Sequence, residues 1–119
     1  MQAAKAYVDA GYPVTFLSPV NEPQWDWHAR AQEGTYYSVD QVMSICAKVA
    51  ERLEELCPSV SLSMPDSARW DHKYMYEIIH RLQEATQLRS RIGHLSAHSY
   101  QATADGRQKV RDALDAAGL

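Results

Sequence analysis

The sequence predicts an α/β protein in which short strands lie parallel in one sheet and alternate with helices. Three short apolar, β-rich runs, 13–20, 60–64 and 94–100, are separated by segments with helical periodicity. Parallel strands need such helical crossovers, whereas antiparallel strands do not. The chain also opens inside one helical pattern and closes after another, so we expect residues 1–119 to be a single segment of a longer repeating βα architecture, truncated at both ends.

Composition excludes several classes of protein. The chain is 45% hydrophobic and 23% charged with a net charge of −3, a balance that does not favour a nucleic-acid partner. No apolar run approaches the roughly 18 residues of a membrane span, so we expect no membrane insertion. The N-terminus does not resemble a signal peptide, and localisation is not indicated. Cys46 and Cys57 lie eleven positions apart in one predicted helix, too far for a disulfide, so we expect both to be small buried hydrophobic residues. No metal-ligand spacing occurs.

The first half of the chain reads as helix, strand and long loop. A helical stripe over 2–10 is followed by Gly11, a residue typical of a helix stop. The run PVTFLSPV, 13–20, predicts a strand buried on both faces. Residues 21–37 form a polar and aromatic loop.

The second half repeats the alternation. Ser38 with Gln41 forms a capping-box pattern that opens a helix, which Pro58 ends. A strand over 60–64, a loop over 65–71 and a helix over about 74–88 follow. The third strand is expected over 94–100. The last helix covers 104–117, with Gly118 as its stop.

The stretch LSPVNEPQWDW, 17–27, carries the clearest sign of chemistry. Glu22 follows a predicted strand, at the edge where parallel βα folds bind ligands. Asn21 beside it offers both a hydrogen-bond donor and an acceptor. Trp25 and Trp27 have aromatic faces suited to sugar rings, although packing over the rim explains them equally well.

The other two strands bring polar side chains to the same edge. Asp66 follows the second strand and is either substrate-binding or a helix cap. His98 and Tyr100, two residues apart, face one side of the third strand. Three strands ending in hydrogen-bonding groups predict a ligand site more strongly than any one motif.

These stretches, together with QEGTYYS at 32–38 and HSY at 98–100, resemble family 30 of the glycoside hydrolases. The likeness is closest to the endo-β-1,6-galactanase-like branch and covers essentially the whole chain. It implies a partial (β/α)8 TIM barrel of the retaining clan A, with about three parallel strands, strands 4 to 6 of the parent barrel. It also implies a carbohydrate substrate, a β-linked polysaccharide, and no metal or organic cofactor.

The resemblance implies a role for four residues. Glu22 would be the general acid/base, and Asn21 would hydrogen-bond the hydroxyl at C2 of the bound sugar. His98 and Tyr100 match the pair that lines the subsite and orients the nucleophile.

One part of the family pattern is missing. The nucleophile of the clan is a second glutamate at the end of the seventh strand, and the sequence stops where that strand is expected. Retaining hydrolysis needs two carboxyl groups about 5 to 5.5 Å apart, so we expect the isolated chain to be inactive.

A function of a different class stays open. The chain could be a non-catalytic oligomerising or carbohydrate-binding module derived from a half-barrel. Such a module would self-associate through its unpaired sheet edges.

Overall fold

The structure, a computed structural model, describes residues 2–28 and 34–119. Its elements in chain order are α1 (Gln2–Asp9), β1 (Phe16–Leu17), α2 (Val39–Leu56), β2 (Ser61–Ser67), α3 (Lys73–Glu84), α4 (Thr86–Arg89), β3 (Ile92–Ala97) and α5 (Ala104–Ala117). The strands form one sheet in the order β1-β2-β3, and both pairings are parallel. This confirms the predicted α/β class, and the arrangement is that of part of an α/β barrel.

The two faces of the sheet differ in chemistry. One face carries Leu17, Leu62 and Met64 against α2 and α3, where the main apolar core lies. Hydrophobic burial on this face is the principal stabilising term. The buried members of that core are Val20, Val39, Val42, Cys46, Ala50, Leu53, Cys57, Val60, Leu62, Met64, Tyr74, Ile78, Leu82 and Leu88.

The opposite face is lined by small and polar side chains. Phe16 and Ser61 are register partners there, and Gly93 lies beside them. A Cβ on Gly93 would stand 2.7 Å from Cε1 of Phe16 and 2.9 Å from Cβ of Ser61. The missing side chain of Gly93 therefore makes room for the Phe16 ring, whose centroid lies 5.8 Å from that of His94.

β1 is far shorter than expected. A strand forms within the predicted range 13–20, but its predicted length and its burial on both faces are wrong: only Phe16 and Leu17 pair, and Phe16 is 47% exposed. The prolines at 13 and 19 lack the N–H that a ladder requires. Within the described residues β1 is also an outer strand of the sheet, with no strand paired to its other edge.

β2 is longer than expected because Pro65 does not end it. The strand continues to Ser67 through an irregular register, in which Pro65 pairs with Ser96 and Ser67 pairs with Ala97. Asp66 is thus an unpaired bulge residue rather than part of a loop. β3 correspondingly spans Ile92–Ala97 instead of 94–100.

The helices follow their sequence signals with one exception. Ser38 caps α2 with both bonds of the capping box, and α5 ends at Gly118 in the left-handed conformation, as expected. The predicted helix 74–88 is interrupted at Ala85, whose φ of −88° and ψ of 59° separate α3 from α4.

A second apolar cluster joins α3 to α5 through Met75, Ile79, Val110 and Leu114. This contact fixes α5, and with it the loop that follows β3. None of the helices in the described part of the chain is long and apolar enough to cross a membrane.

Candidate functional site

Glu22 lies where the first strand has ended, at the edge formed by the carboxyl ends of all three strands. Its side chain is buried, with the residue 5% exposed. Its Oε1 is 2.6 Å from Nδ1 of His98, 76 residues further along the chain. Its backbone N–H donates to the carbonyl of Asp66 at 2.8 Å. Glu22 adopts φ 47°, a left-handed conformation that costs about 1–2 kcal/mol in a non-glycine residue.

Asp66 occupies the bulge of β2 and also has a left-handed backbone, with φ 53°. Its Oδ1 is 3.8 Å from Nε2 of His98, and its Oδ2 accepts a hydrogen bond of 3.2 Å from the hydroxyl of Ser18. Its own N–H donates to Oγ of Ser96 at 3.2 Å. The predicted capping role is not what these contacts show: α3 is capped by His72.

His98 and Tyr100 follow the end of β3. The N–H of His98 donates to the carbonyl of Ser67 at 2.6 Å, which continues the pairing of β2 with β3 by one bond. The rings of His98 and Tyr100 meet edge to face, 5.3 Å apart at 84°. Tyr100 is 59% exposed.

The residues around Glu22 divide between exposed and buried. Asn21 is exposed and Trp25 is partly buried, with its N–H bonded to the carbonyl of Glu22 at 3.3 Å. Trp27 is buried at 9% exposure, and a Cβ on Gly34 would stand 2.7 Å from its Cγ. Sugar contact by these side chains stays a prediction. The residues 32 and 33 of the QEGTYYS stretch lie outside the described residues.

Serine side chains on β2 and β3 form hydrogen bonds below the site. They were not identified from the sequence. Ser63 donates to Ser96 at 3.0 Å and lies 3.2 Å from Nδ1 of His94. Oγ of Ser67 accepts a hydrogen bond of 2.9 Å from Nε2 of Gln24. The available signal was the alternation of serine at 61 and 63 with Leu62 and Met64, which marks the polar face of β2.

The loop after β2 is held by an ion pair. Both Nε and Nη2 of Arg69 donate to Oδ1 of Asp71, at 2.9 and 2.7 Å. These hydrogen bonds, with the guanidinium charge, hold the pKa of Asp71 below its usual range. Burial, and then the charges of Arg69 and Lys73, lower the pKa of His72. A neutral His72 can accept the N–H of Tyr74, which is the cap seen on α3.

The arrangement is suited to proton transfer and to binding hydroxyl groups. A buried carboxylate with an imidazole on one oxygen can hold or release a proton at the other. Among the residues that the structure describes, no group of three or more His, Cys, Asp or Glu side chains could hold a metal ion.

Comparison with known proteins gives one result at the level of family. The family model described as "O-Glycosyl hydrolase family 30" matches residues 1–117. No curated protein and no solved structure matches the chain.

Proposed function

Because the chain belongs to O-glycosyl hydrolase family 30, we propose that it is a segment of the catalytic domain of a retaining glycoside hydrolase and that Glu22 is the general acid/base. The observation that carries this assignment is the contact between the buried carboxylate of Glu22 and Nδ1 of His98, at the carboxyl edge of a parallel sheet. A carboxylate on that edge, oriented by a second polar side chain, has the placement that general acid/base catalysis requires.

In the proposed reaction Glu22 acts twice. It first gives a proton to the glycosidic oxygen while a second carboxylate attacks the anomeric carbon and forms a glycosyl-enzyme. It then takes a proton from water, whose oxygen displaces the second carboxylate and restores the original anomeric configuration. We propose that this second carboxylate is supplied by polypeptide outside these 119 residues.

The substrate class in this proposal is a β-linked polysaccharide, with a β-1,6-galactan as the first candidate. Asn21 is exposed next to Glu22, and an amide there can hydrogen-bond the hydroxyl at C2. The exposed ring of Tyr100 offers an apolar face and a hydroxyl to a sugar.

The acid role of Glu22 can be tested on this chain by supplying the missing nucleophile as azide. Azide attacks the anomeric carbon of a β-galactoside, and the leaving oxygen departs with a proton from Glu22. With phenyl β-galactoside, whose leaving group needs that proton, we expect Glu22→Gln to lose roughly 100-fold or more of the α-galactosyl azide formed. With the 2,4-dinitrophenyl galactoside, whose leaving group departs as the stable 2,4-dinitrophenolate anion without needing a proton, the loss should be small.

Glu77→Gln is the matched control, because Glu77 is an exposed carboxylate on α3. It should leave both reactions unchanged. Equal rates for Glu22→Gln and the unsubstituted chain on the phenyl galactoside would contradict the assignment, and so would equal losses on the two substrates.

A non-catalytic, self-associating module remains the second candidate. It is favoured by one observation: in the described part of the chain, β1 and β3 each have one unpaired edge. Size-exclusion chromatography with light scattering separates the two proposals. A stable dimer that lacks the azide reaction would favour the module.

A further inference from the structure

We infer that Asp66 is a positioning residue that orients the imidazole of His98 so that its Nδ1 faces Glu22. The significance of this role rests on the proposed function of Glu22, but the orientation itself is a property of the free chain. It differs from sugar binding by Asp66, which requires a ligand.

The backbone of Asp66 is shaped to present its carboxylate to His98. Asp66 is the extra residue between the register pairs Pro65–Ser96 and Ser67–Ala97, and its φ is 53°. A bulge of this kind turns a side chain away from the direction that regular alternation would give it. Here the carboxylate is turned to 3.8 Å from Nε2 of His98.

Asp66 is held through both its side chain and its main chain. The hydroxyl of Ser18, shared with the carbonyl of Val20 at 3.0 Å, donates to Oδ2 at 3.2 Å, which leaves Oδ1 for the imidazole. Ser96 accepts the N–H of Asp66 at 3.2 Å, which holds the bulge against β3. With 27% of its side chain exposed, Asp66 is a partly desolvated charge rather than a freely rotating surface group.

Asp66 is connected to both the main chain and the side chain of Glu22. Its carbonyl accepts the backbone N–H of Glu22 at 2.8 Å. Its carboxylate lies beside the imidazole whose other nitrogen is 2.6 Å from Oε1 of Glu22. Main chain and side chains of Asp66, His98 and Glu22 thus form a closed circuit of contacts.

The circuit selects one of the two orientations of the imidazole. Rotation of the ring by half a turn would exchange each nitrogen with a carbon, so that C–H groups would face both carboxylates. When both ring nitrogens carry a proton, each carboxylate favours the orientation that presents an N–H to it, and the two preferences agree. In that orientation Oε1 of Glu22 is held by the imidazole, and Oε2 is the oxygen left for the glycosidic bond.

Nitrogen NMR of the ligand-free chain tests this inference. With ¹⁵N-labelled histidine at low temperature, at one fixed pH at which the nitrogen shifts show both ring nitrogens of His98 protonated, we expect a protected Nδ1–H correlation for His98, shifted downfield by its short bond to Glu22. Asp66→Gly keeps a residue that accepts positive φ but removes the carboxylate, and it should abolish this correlation. Asp66→Asn, which also tolerates positive φ and retains an acceptor oxygen, should restore it in part. Asp115→Ala, at the far end of α5, should leave it unchanged.

An unchanged Nδ1–H correlation in Asp66→Gly would overturn the inference. If the amide spectrum shows that Asp66→Gly is unfolded, Ser18→Ala decides the matter: it frees Oδ2 and should broaden or weaken the signal, and an unaffected signal again overturns the inference. Because no substrate is present, this result is independent of the azide reaction. Loss of the correlation with no azide reaction would retain the positioning role and reject the proposed catalytic role.

Discussion

Replacing Gly106 with alanine should destabilise the fold, although alanine is the better helix former. Gly106 is buried in the first turn of α5, where its N–H donates to Oγ1 of the cap residue Thr103 at 2.9 Å. A Cβ at this position would stand 2.6 Å from Cβ and 2.8 Å from Cγ of Asp71. Asp71 cannot retreat freely, because Arg69 holds its carboxylate through two hydrogen bonds.

The magnitude follows from two opposing effects. Inserting a methyl group into a packed site costs about 1–3 kcal/mol. Replacing glycine by alanine inside a helix contributes about 0.5–1 kcal/mol in the other direction. The net change in the free energy of unfolding is therefore expected to be a loss of about 1–2 kcal/mol.

Urea unfolding followed by circular dichroism measures this change, and a double-mutant cycle identifies its cause. In an Asp71→Gly background the atoms that the new methyl group meets are absent. The same Gly106→Ala substitution should then be neutral or stabilising, so its effect changes sign. Gln108→Ala, on the exposed side of α5, removes only a surface hydrogen bond to Asp112 and is the control for a substitution that meets no packed neighbour.

Two results would refute the reasoning. The first is a urea unfolding curve of Gly106→Ala with the same midpoint and slope as that of the unsubstituted protein. The second is a loss of stability that persists in full when Asp71 is glycine. Either would mean that the contact between the loop after β2 and the start of α5 does not limit packing.

Three further predictions concern the cap, the pH dependence and the thiols. Ser38→Ala removes the cap of α2 and should cost about 1 kcal/mol in urea unfolding, whereas Ser44→Ala, exposed within the same helix, should not. The lowered pKa of Asp71 stabilises the fold above its unfolded-state value, and this contribution is lost as the pH falls through the folded-state pKa; Asp71→Asn should therefore flatten the stability curve below about pH 4. Burial raises the pKa of the Cys46 thiol to about 12, and Cys57 is also buried, so a disulfide reagent should label neither thiol until urea unfolds the chain.

Local signals in the sequence were enough to predict the helix ends. Ser38 and Gln41 form their capping box within four residues, and Gly118 accepts the left-handed conformation at the end of α5 because it lacks a Cβ. The parallel sheet also follows from the alternation of short apolar runs with helices. These features depend on neighbours in the chain and on periodicity.

Features set by distant contacts could not be predicted in detail. The bulge at Asp66 depends on its register with Ser96, and the sequence alone suggested a strand end at Pro65. The left-handed backbone of Glu22 is held by a hydrogen bond to Asp66, 44 residues later in the sequence. Local propensity cannot predict a contact at that separation. Polar residues at the strand ends were identifiable as a group, but not which nitrogen of His98 meets which carboxylate.

The fit of Phe16 above Gly93 and Ser61 has a consequence for engineering. At this point on the face opposite α2 and α3, Phe16 of β1 supplies the bulk, and Ser61 of β2 and Gly93 of β3 supply the space. Neighbouring strands therefore cannot be exchanged or duplicated as equivalent modules. Two copies of β1 side by side would bring two aromatic rings into the volume of one. Any attempt to rebuild a closed barrel around this segment must match the sizes of side chains on adjacent strands as well as the hydrophobic pattern of each strand.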